Sequence, residues 1–313
     1  MSVYTKINDD ELNKHLKKYS IGTPISLSGI SEGIENTNYL LTTNIGEYIF
    51  TIFEDIKIDR VFNYLSFMNH LNNKGLVSPR VINTVDGDLC VDIKNKPAAI
   101  IEKLNGKSIV NPNNTHCEQL GKVMANFHLY GSDFNIKINN SRDLVWVENS
   151  RKKLRNKIDK NQLNIIDKSI EIQKKFLYKP LPSGMIHADL FKDNVLFIKK
   201  NITGIIDFYY SCVSPYIYDL AIVANDWCNT NNNTINQEKI KLLLCEYNKS
   251  RTINDEEKSQ WGNALIVAAL RFYLSRLIDL HFPKIGEITH IKDPTIFKNI
   301  LVDRLNTNYQ IIL

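Results

Sequence analysis

Residues 185 to 208 read Met-Ile-His-Ala-Asp-Leu-Phe-Lys-Asp-Asn-Val-Leu-Phe-Ile-Lys-Lys-Asn-Ile-Thr-Gly-Ile-Ile-Asp-Phe. Val195 to Ile198 and Ile202 to Ile206 are rich in β-branched residues and predict two short strands. Lys199, Lys200 and Asn201 between them make a polar connection of hairpin length. Such a hairpin carries Asn194, just before its first strand, close to Asp207, just after its second. An amide oxygen beside a carboxylate suits a hard cation such as Mg²⁺, which takes oxygen ligands. Asp189 precedes Asn194 by five residues, on the loop entering the hairpin. That position sets it beside a metal without coordinating it, able to take a proton from a hydroxyl. A metal clamp and a carboxylate aimed at a nucleophile are the parts that phosphoryl transfer requires.

The bulk of the chain is compatible with such an enzyme. Its 313 residues suffice for two lobes with substantial cores. A hydrophobic content of 43% with 23% charged residues describes an ordinary globular protein. The net charge of +5 favours anionic ligands slightly and does not demand nucleic acid. The five cysteines are widely spaced with no Cys-x-x-Cys pair, so neither a disulfide framework nor a zinc site is implied. A reducing cytosol is the expected home. The polar stretch Thr5 to Glu11 carries no secretory signal. The most apolar helix candidate, Ala264 to Leu280, is broken by Arg271, Arg276 and Asp279 and does not suit a bilayer.

Ahead of the central stretch, Asn8 and Glu11 predict a capped first helix over 8–19. Residues 25–53 read as three antiparallel strands, with Gly33 at one bend and Asn44-Ile45-Gly46 at the next. Three antiparallel strands with a loop over their edge resemble a nucleotide-covering lobe, in which Ser31, Gly33, Asn36 and Thr37 would approach phosphates through backbone N–H groups and short polar side chains. Residues 81–101 predict another strand pair with a turn at Asp86-Gly87-Asp88. From about residue 106 the periodicity turns helical, with a helix started by Asn114 or Thr115. Its His128 reads as a packing residue. After Asp207 the run Tyr216 to Cys228 begins another helix, whose Asp219 is placed to tie it to the loop at 187–194. Two further helices follow, near 237–249 and 255–280.

The spacing His187-x-Asp189-x₄-Asn194 resembles the kinase catalytic loop, with Asp207-Phe208 in the place of the metal-binding Asp-Phe pair. Alanine at 188, tyrosine at 209 and the short hairpin point toward small-molecule kinases of the aminoglycoside phosphotransferase type. The fold class implied is α+β: a two-lobed, protein-kinase-like architecture with a small antiparallel sheet lobe and a larger, mainly helical lobe. The lobes are expected at 1–104, binding nucleotide and ending in a hinge, and at 105–313, carrying the catalytic loop and substrate pocket. Backbone groups from Glu102 to Leu104 would meet adenine. Kinases normally place a lysine on the third strand and a glutamate on the next helix. Here Thr51 fills the lysine slot and the helix at 59–71 has no glutamate. Lys192 is the first candidate for the replacing cation and Lys57 the second.

Three segments narrow the resemblance: Phe50 to Glu54, His187 to Phe197 followed by Ile206 to Tyr209, and Tyr218 to Ile222 with Asn225 to Cys228. With Ala268 to His281 and His290 to Pro294, they are similar to homoserine kinases of the aminoglycoside-phosphotransferase-like class. The resemblance implies phosphorylation of L-homoserine by ATP with Mg²⁺, on the route to threonine, by a cytoplasmic monomer or homodimer. It makes Asp189 the base or hydroxyl-orienting residue and Asn194 and Asp207 the metal ligands. Homoserine carries a carboxylate and an ammonium. Arg271 shares a helix face with Ser275 and Asp279 and is a candidate grip for the carboxylate. Arg276, Arg142, Asp226 and Tyr209 are further candidates. The alternatives are an aminoglycoside or choline/ethanolamine kinase, and a nucleotide-binding module without catalysis.

Overall fold

In the computed structural model described here, covering residues 4–30, 36–283 and 292–313, the chain divides between Asn105 and Gly106 into two compact units. The first begins with helix α1 (Asp9–Leu16), started by the expected capping box of Asn8 and Glu11. Strands β1 (Pro24–Gly29), β2 (Thr37–Thr43) and β3 (Gly46–Ile52) follow. After helix α2 (Ile58–Asn73) come β4 (Val81–Ile82), β5 (Val91–Ile93) and β6 (Lys96–Glu102). The antiparallel sheet runs β1-β2-β3-β6-β4, and β5 also pairs with β6. Strict alternation along β2 buries Thr37, Tyr39, Leu41 and Thr43. Tyr39 and Leu41 join Phe50, Ile100 and the α1 residues Leu12 and Leu16 in one core cluster.

Residues 81–102 depart from the expected strand pair. A turn does form at 84–88, with the Gly87 N–H on the Thr84 carbonyl at 3.0 Å, but β4 and β5 on either side of it both pair with β6 and not with each other. The hairpin turns at Lys94-Asn95, where both residues have positive φ (53° and 62°). Two left-handed residues at the tip match the twist of the flanking strands.

The second unit is mainly helical. It comprises α3 (Asn114–Gly131), α4 (Leu144–Leu154), α5 (Lys160–Leu177), β7 (Ser183–Ile186), β8 (Val195–Ile198), β9 (Asn201–Ile205) and β10 (Cys212–Pro215). Helices α6 (Tyr216–Trp227), α7 (Gln237–Ser250), α8 (Asp255–Ser259), α9 (Trp261–His281) and α10 (Pro294–Asn306) complete it. The predicted α+β class is the one observed. The cap of α3 is Asn113, one residue ahead of the expected pair, with its side chain on His116 N. Helix α9 is packed by α4, α5, α6, α8 and α10, and is buried on nearly every face from Ala264 to Leu274. A helix so enclosed needs apolar residues all round, which Ala268, Ala269, Leu270 and Phe272 supply. No helix among the described residues is long and apolar enough to cross a membrane.

Candidate active site

Strand β7 pairs antiparallel with β10, Ile186 opposite Cys212, and delivers the chain into the loop 187–194. The loop is anchored at its start by Asp219 in the first turn of α6. One carboxylate oxygen accepts the Ala188 N–H at 2.8 Å and the other the His187 N–H at 3.0 Å. These bonds hold Ala188 at φ 63°, a left-handed conformation that costs an alanine about 1–2 kcal/mol. The expected tie between α6 and the loop is therefore present. Its second tier was not legible in the sequence: His128 of α3 places Nε2 3.0 Å from the Asp219 carboxylate and Nδ1 2.6 Å from the Tyr247 hydroxyl. Burial pushes the Asp219 carboxyl up, but the His128 hydrogen bond, with the charges around it, outweighs burial and holds it below the usual carboxylate range. Burial also keeps His128 below its ordinary value, against the pull of Asp219.

His187 is fully buried and both ring nitrogens are engaged. Nε2 lies 3.0 Å from the Ile206 carbonyl, and Nδ1 accepts the Asp189 N–H at 3.2 Å. A carbonyl partner on Nε2 and an N–H partner on Nδ1 fix the Nε2-protonated neutral tautomer. Burial, which depresses its pKa, agrees with that state. His187 thus ties the loop to the far end of the hairpin.

The hairpin forms as expected. Val195 pairs with Ile205, and the Ile206 N–H reaches the Asn194 carbonyl at 3.0 Å, so Asn194 and Asp207 flank the same mouth. Asn194 donates its Nδ2 to the Asp189 carbonyl at 2.8 Å and, at 3.4 Å, to the Asp189 carboxylate. With the nitrogen so committed, the amide oxygen is the atom left to face a cation. Asp207 is exposed and takes a left-handed φ of 65°, a conformation tolerated by Asp better than by most residues. An amide oxygen and an exposed carboxylate at one mouth are hard oxygen donors, and the pair fits a small divalent cation such as Mg²⁺.

The residues expected to hold substrate are dispersed among several partners. Arg271 on α9 is buried, with Nη1 2.6 Å from the Ala188 carbonyl and 3.1 Å from Asp189 Oδ1. The sequence reading had it as a candidate grip for the substrate carboxylate. The helix presents it to the loop. Arg142 donates to the Tyr210 hydroxyl at 2.9 Å and lies over the rings of Trp146 and Tyr210. Tyr209 is half-buried beside it in the chain. Asp226 accepts the Lys192 N–H at 2.8 Å, and the Lys192 ammonium lies 3.5 Å away. Burial raises the Asp226 carboxyl, with Lys192 opposing it. Arg276 donates to the Asp293 carbonyl at 2.9 Å and covers the Phe297 ring, close enough to Asp226 to feel its charge.

In the first unit, Ser31 and Gly33 lie outside the described residues. Asn36 is buried with its side-chain oxygen unpartnered among the described residues. The Thr37 side chain is not available to a phosphate. Its hydroxyl accepts the Tyr4 and Thr5 N–H groups at 2.9 and 3.1 Å and donates to Glu54 at 2.6 Å, pinning the N-terminal segment. Glu54 also pairs with Lys96. Thr51, in the lysine slot, is buried and donates to Asn38 at 2.8 Å. The Glu102 N–H is occupied by the Arg80 carbonyl at 2.9 Å, and the Glu102 side chain is exposed. Leu104 is half-buried.

Residues 26–251 match the model of the phosphotransferase enzyme family, abbreviated APH. The chain is 38% identical to the homoserine kinase of Methylobacillus flagellatus, an alignment covering 100% of this chain and 98% of that protein. It is also 38% identical to the homoserine kinase of Neisseria meningitidis, covering 96% of this chain and 99% of the relative. Among solved structures it is similar to amicoumacin kinase hAmiN bound to AMP-PNP and Ca²⁺, with a TM-score of 0.76 at 16% identity over 96% of this chain and 94% of that one. A choline/ethanolamine kinase family protein from Mesorhizobium loti gives 0.68 at 16% identity over 95% and 93%. At such identities the two structures speak for a shared kinase-like fold. On the family match and the full-length relatives together, the chain belongs to the APH phosphotransferase family.

Proposed function

We propose that this protein is a homoserine kinase, transferring the terminal phosphoryl group of ATP to the side-chain hydroxyl of L-homoserine to give O-phospho-L-homoserine. The observation that carries the substrate is the 38% identity with a homoserine kinase over essentially the whole of both chains. The loop geometry supports the chemistry. Asp189 is half-buried, with 18% of its side chain exposed, so an acceptor hydroxyl can reach it. Its carboxylate accepts the hydroxyl's hydrogen bond, turns an oxygen lone pair toward phosphorus, and takes the proton as the new O–P bond forms and the bond from the terminal phosphorus to the bridging oxygen of ATP breaks, releasing ADP. Asn194 and Asp207 are the residues that would hold Mg²⁺, which when bound offsets negative charge on the phosphate oxygens.

Lys192 is the cation proposed for the triphosphate, standing in for the lysine that Thr51 displaces. Its side chain is 31% exposed and its backbone is fixed by Asp226. Arg276 and Asp226 are the pair proposed for the carboxylate and ammonium of homoserine. Arg142 and Tyr209 are further residues proposed for the substrate. The lobe assignment is part of the same proposal: nucleotide on residues 1–104, acceptor on 105–313. The enzyme is proposed to work in the cytoplasm as a monomer or homodimer.

The test is a coupled ADP-release assay with ATP, Mg²⁺ and L-homoserine, run beside choline and an aminoglycoside. Turnover on homoserine alone is expected. Turnover on either of the others with none on homoserine overturns the assignment.

A further inference from the structure

Helix α9 is apolar along its buried length, yet it carries one charged side chain, Arg271, into the interior. Burying a guanidinium is costly unless it is paired, and Arg271 is paired with a single short stretch of chain. Nη1 sits 2.6 Å from the Ala188 carbonyl and 3.1 Å from Asp189 Oδ1. The guanidinium carbon lies 3.9 Å from the Phe272 ring centroid and 4.8 Å from that of Tyr210, and the two rings restrict its movement. The Tyr210 hydroxyl is itself held by Arg142.

The consequence for the loop follows from which atoms are held. Asp219 grips the N–H side of Ala188, and Arg271 grips its C=O side. The left-handed alanine is thus fixed from α6 and from α9 at once. One residue on, the Asp189 carboxylate has Oδ1 on Arg271 and Oδ2 toward Asn194 Nδ2. With both oxygens engaged, its side-chain torsions have little freedom left. A carboxylate that must present one lone pair to an incoming hydroxyl gains from such restriction, because misplacement by about 1 Å costs roughly 100-fold in rate.

We infer that Arg271 is a positioning residue for phosphoryl transfer: it fixes the Asp189 carboxylate and the backbone beneath it, and does not bind the carboxylate of the amino-acid substrate. The inference rests on the reading of Asp189 as the group that faces the acceptor hydroxyl. It separates two roles that one arginine on this helix face could play. A substrate grip shows in binding and KM. A positioning residue shows in kcat.

The test uses the whole chain with Arg271→Met, which keeps an unbranched apolar stem and removes the guanidinium, and Arg271→Lys, which keeps the charge but loses the planar fork. Steady-state kcat and KM for L-homoserine are measured. The homoserine dissociation constant is measured by calorimetry, and active sites are titrated with a non-hydrolysable ATP analogue. The expected result for Arg271→Met is a kcat per titrated site lowered about 100-fold, with KM and dissociation constant within about threefold of wild type. Arg271→Lys should recover part of kcat. A raised KM and dissociation constant with kcat intact overturns the inference in favour of a substrate grip. An unchanged kcat per titrated site, with fewer sites, overturns it in favour of a purely structural role. If Arg271→Met does not fold, Arg271→Lys decides alone: a lowered kcat with unchanged affinity supports the inference, and an unchanged kcat overturns it. Absence of homoserine turnover in the wild type overturns the functional reading itself.

Discussion

Asp189 and Asp207 carry different burdens, and single substitutions separate them. Asp189→Asn keeps the size of the side chain and a hydrogen-bonding oxygen, but removes the site for the proton. The expected result is a kcat lowered by more than ~100-fold with the fold intact, read from initial rates beside a circular-dichroism spectrum. Asp207→Ala removes the exposed carboxylate of the hairpin mouth. Activity should no longer respond to added Mg²⁺, and a titration of rate against Mg²⁺ checks this. A third residue governs stability. His15 on α1 is buried against Tyr19 and Phe50, and its Nε2 has no hydrogen-bond partner among the described residues. Burial, with the charge of Lys18 adding to it, pulls its pKa from 6.5 to about 4. Between those values the unfolded chain binds a proton that the folded chain refuses. Stability therefore falls as pH drops from 6.5 toward 4, by up to roughly 3 kcal/mol at about 1.4 kcal/mol per unit. His15→Leu should flatten that slope, measured as urea midpoints at pH 7.5 and pH 5.

At the scale of elements, the close approach of α3 and α7 depends on Gly121. A Cβ there would stand 2.1 Å from the Leu243 carbonyl oxygen, a backbone atom that moves only with its helix. Alanine favours a helix interior by about 1 kcal/mol over glycine, but overpacking typically costs about 1–3 kcal/mol and here meets backbone. Gly121→Ala should therefore destabilise by about 2 kcal/mol net, read from the urea midpoint. The same elements show what the sequence made legible. The hairpin and the placing of Asn194 beside Asp207 were readable because strand, turn and strand are consecutive. The cap of α1 was readable because its partners stand three residues apart. Helix α10 was not among the predicted elements, although Asp293 and Pro294 are a local start signal and the structure uses them so. The links from Arg271 to Asp189 and from His128 to Asp219 span 82 and 91 residues, and nothing local announces them. The engagement of the Thr37 hydroxyl was not legible for the same reason: its partners Tyr4, Thr5 and Glu54 meet only when the sheet has formed.

Across the second unit, α9 joins stability to chemistry. It packs against five helices and also presents Arg271 and Arg276. Changes that loosen its packing should depress turnover before they unfold the chain. Helix α10 lies along it and ends in a wholly buried arginine. Arg304 donates Nε to the Asn225 side-chain oxygen at 3.0 Å, and its other arms reach the Asn233 carbonyl at 2.8 Å and Asn229 at 3.2 Å. Asn225 in turn donates to the Leu265 carbonyl, and its neighbour Asp226 holds Lys192. The Tyr309 hydroxyl donates to Asp303 at 2.7 Å and its ring lies under the Arg304 guanidinium, so a chain cut back to about residue 310 should keep its activity. A stop codon placed just ahead of 304 should yield a polypeptide that is captured by chaperones or degraded, although none of the deleted residues is proposed to touch substrate. Expression and soluble yield of the two shortened forms, compared side by side, check this.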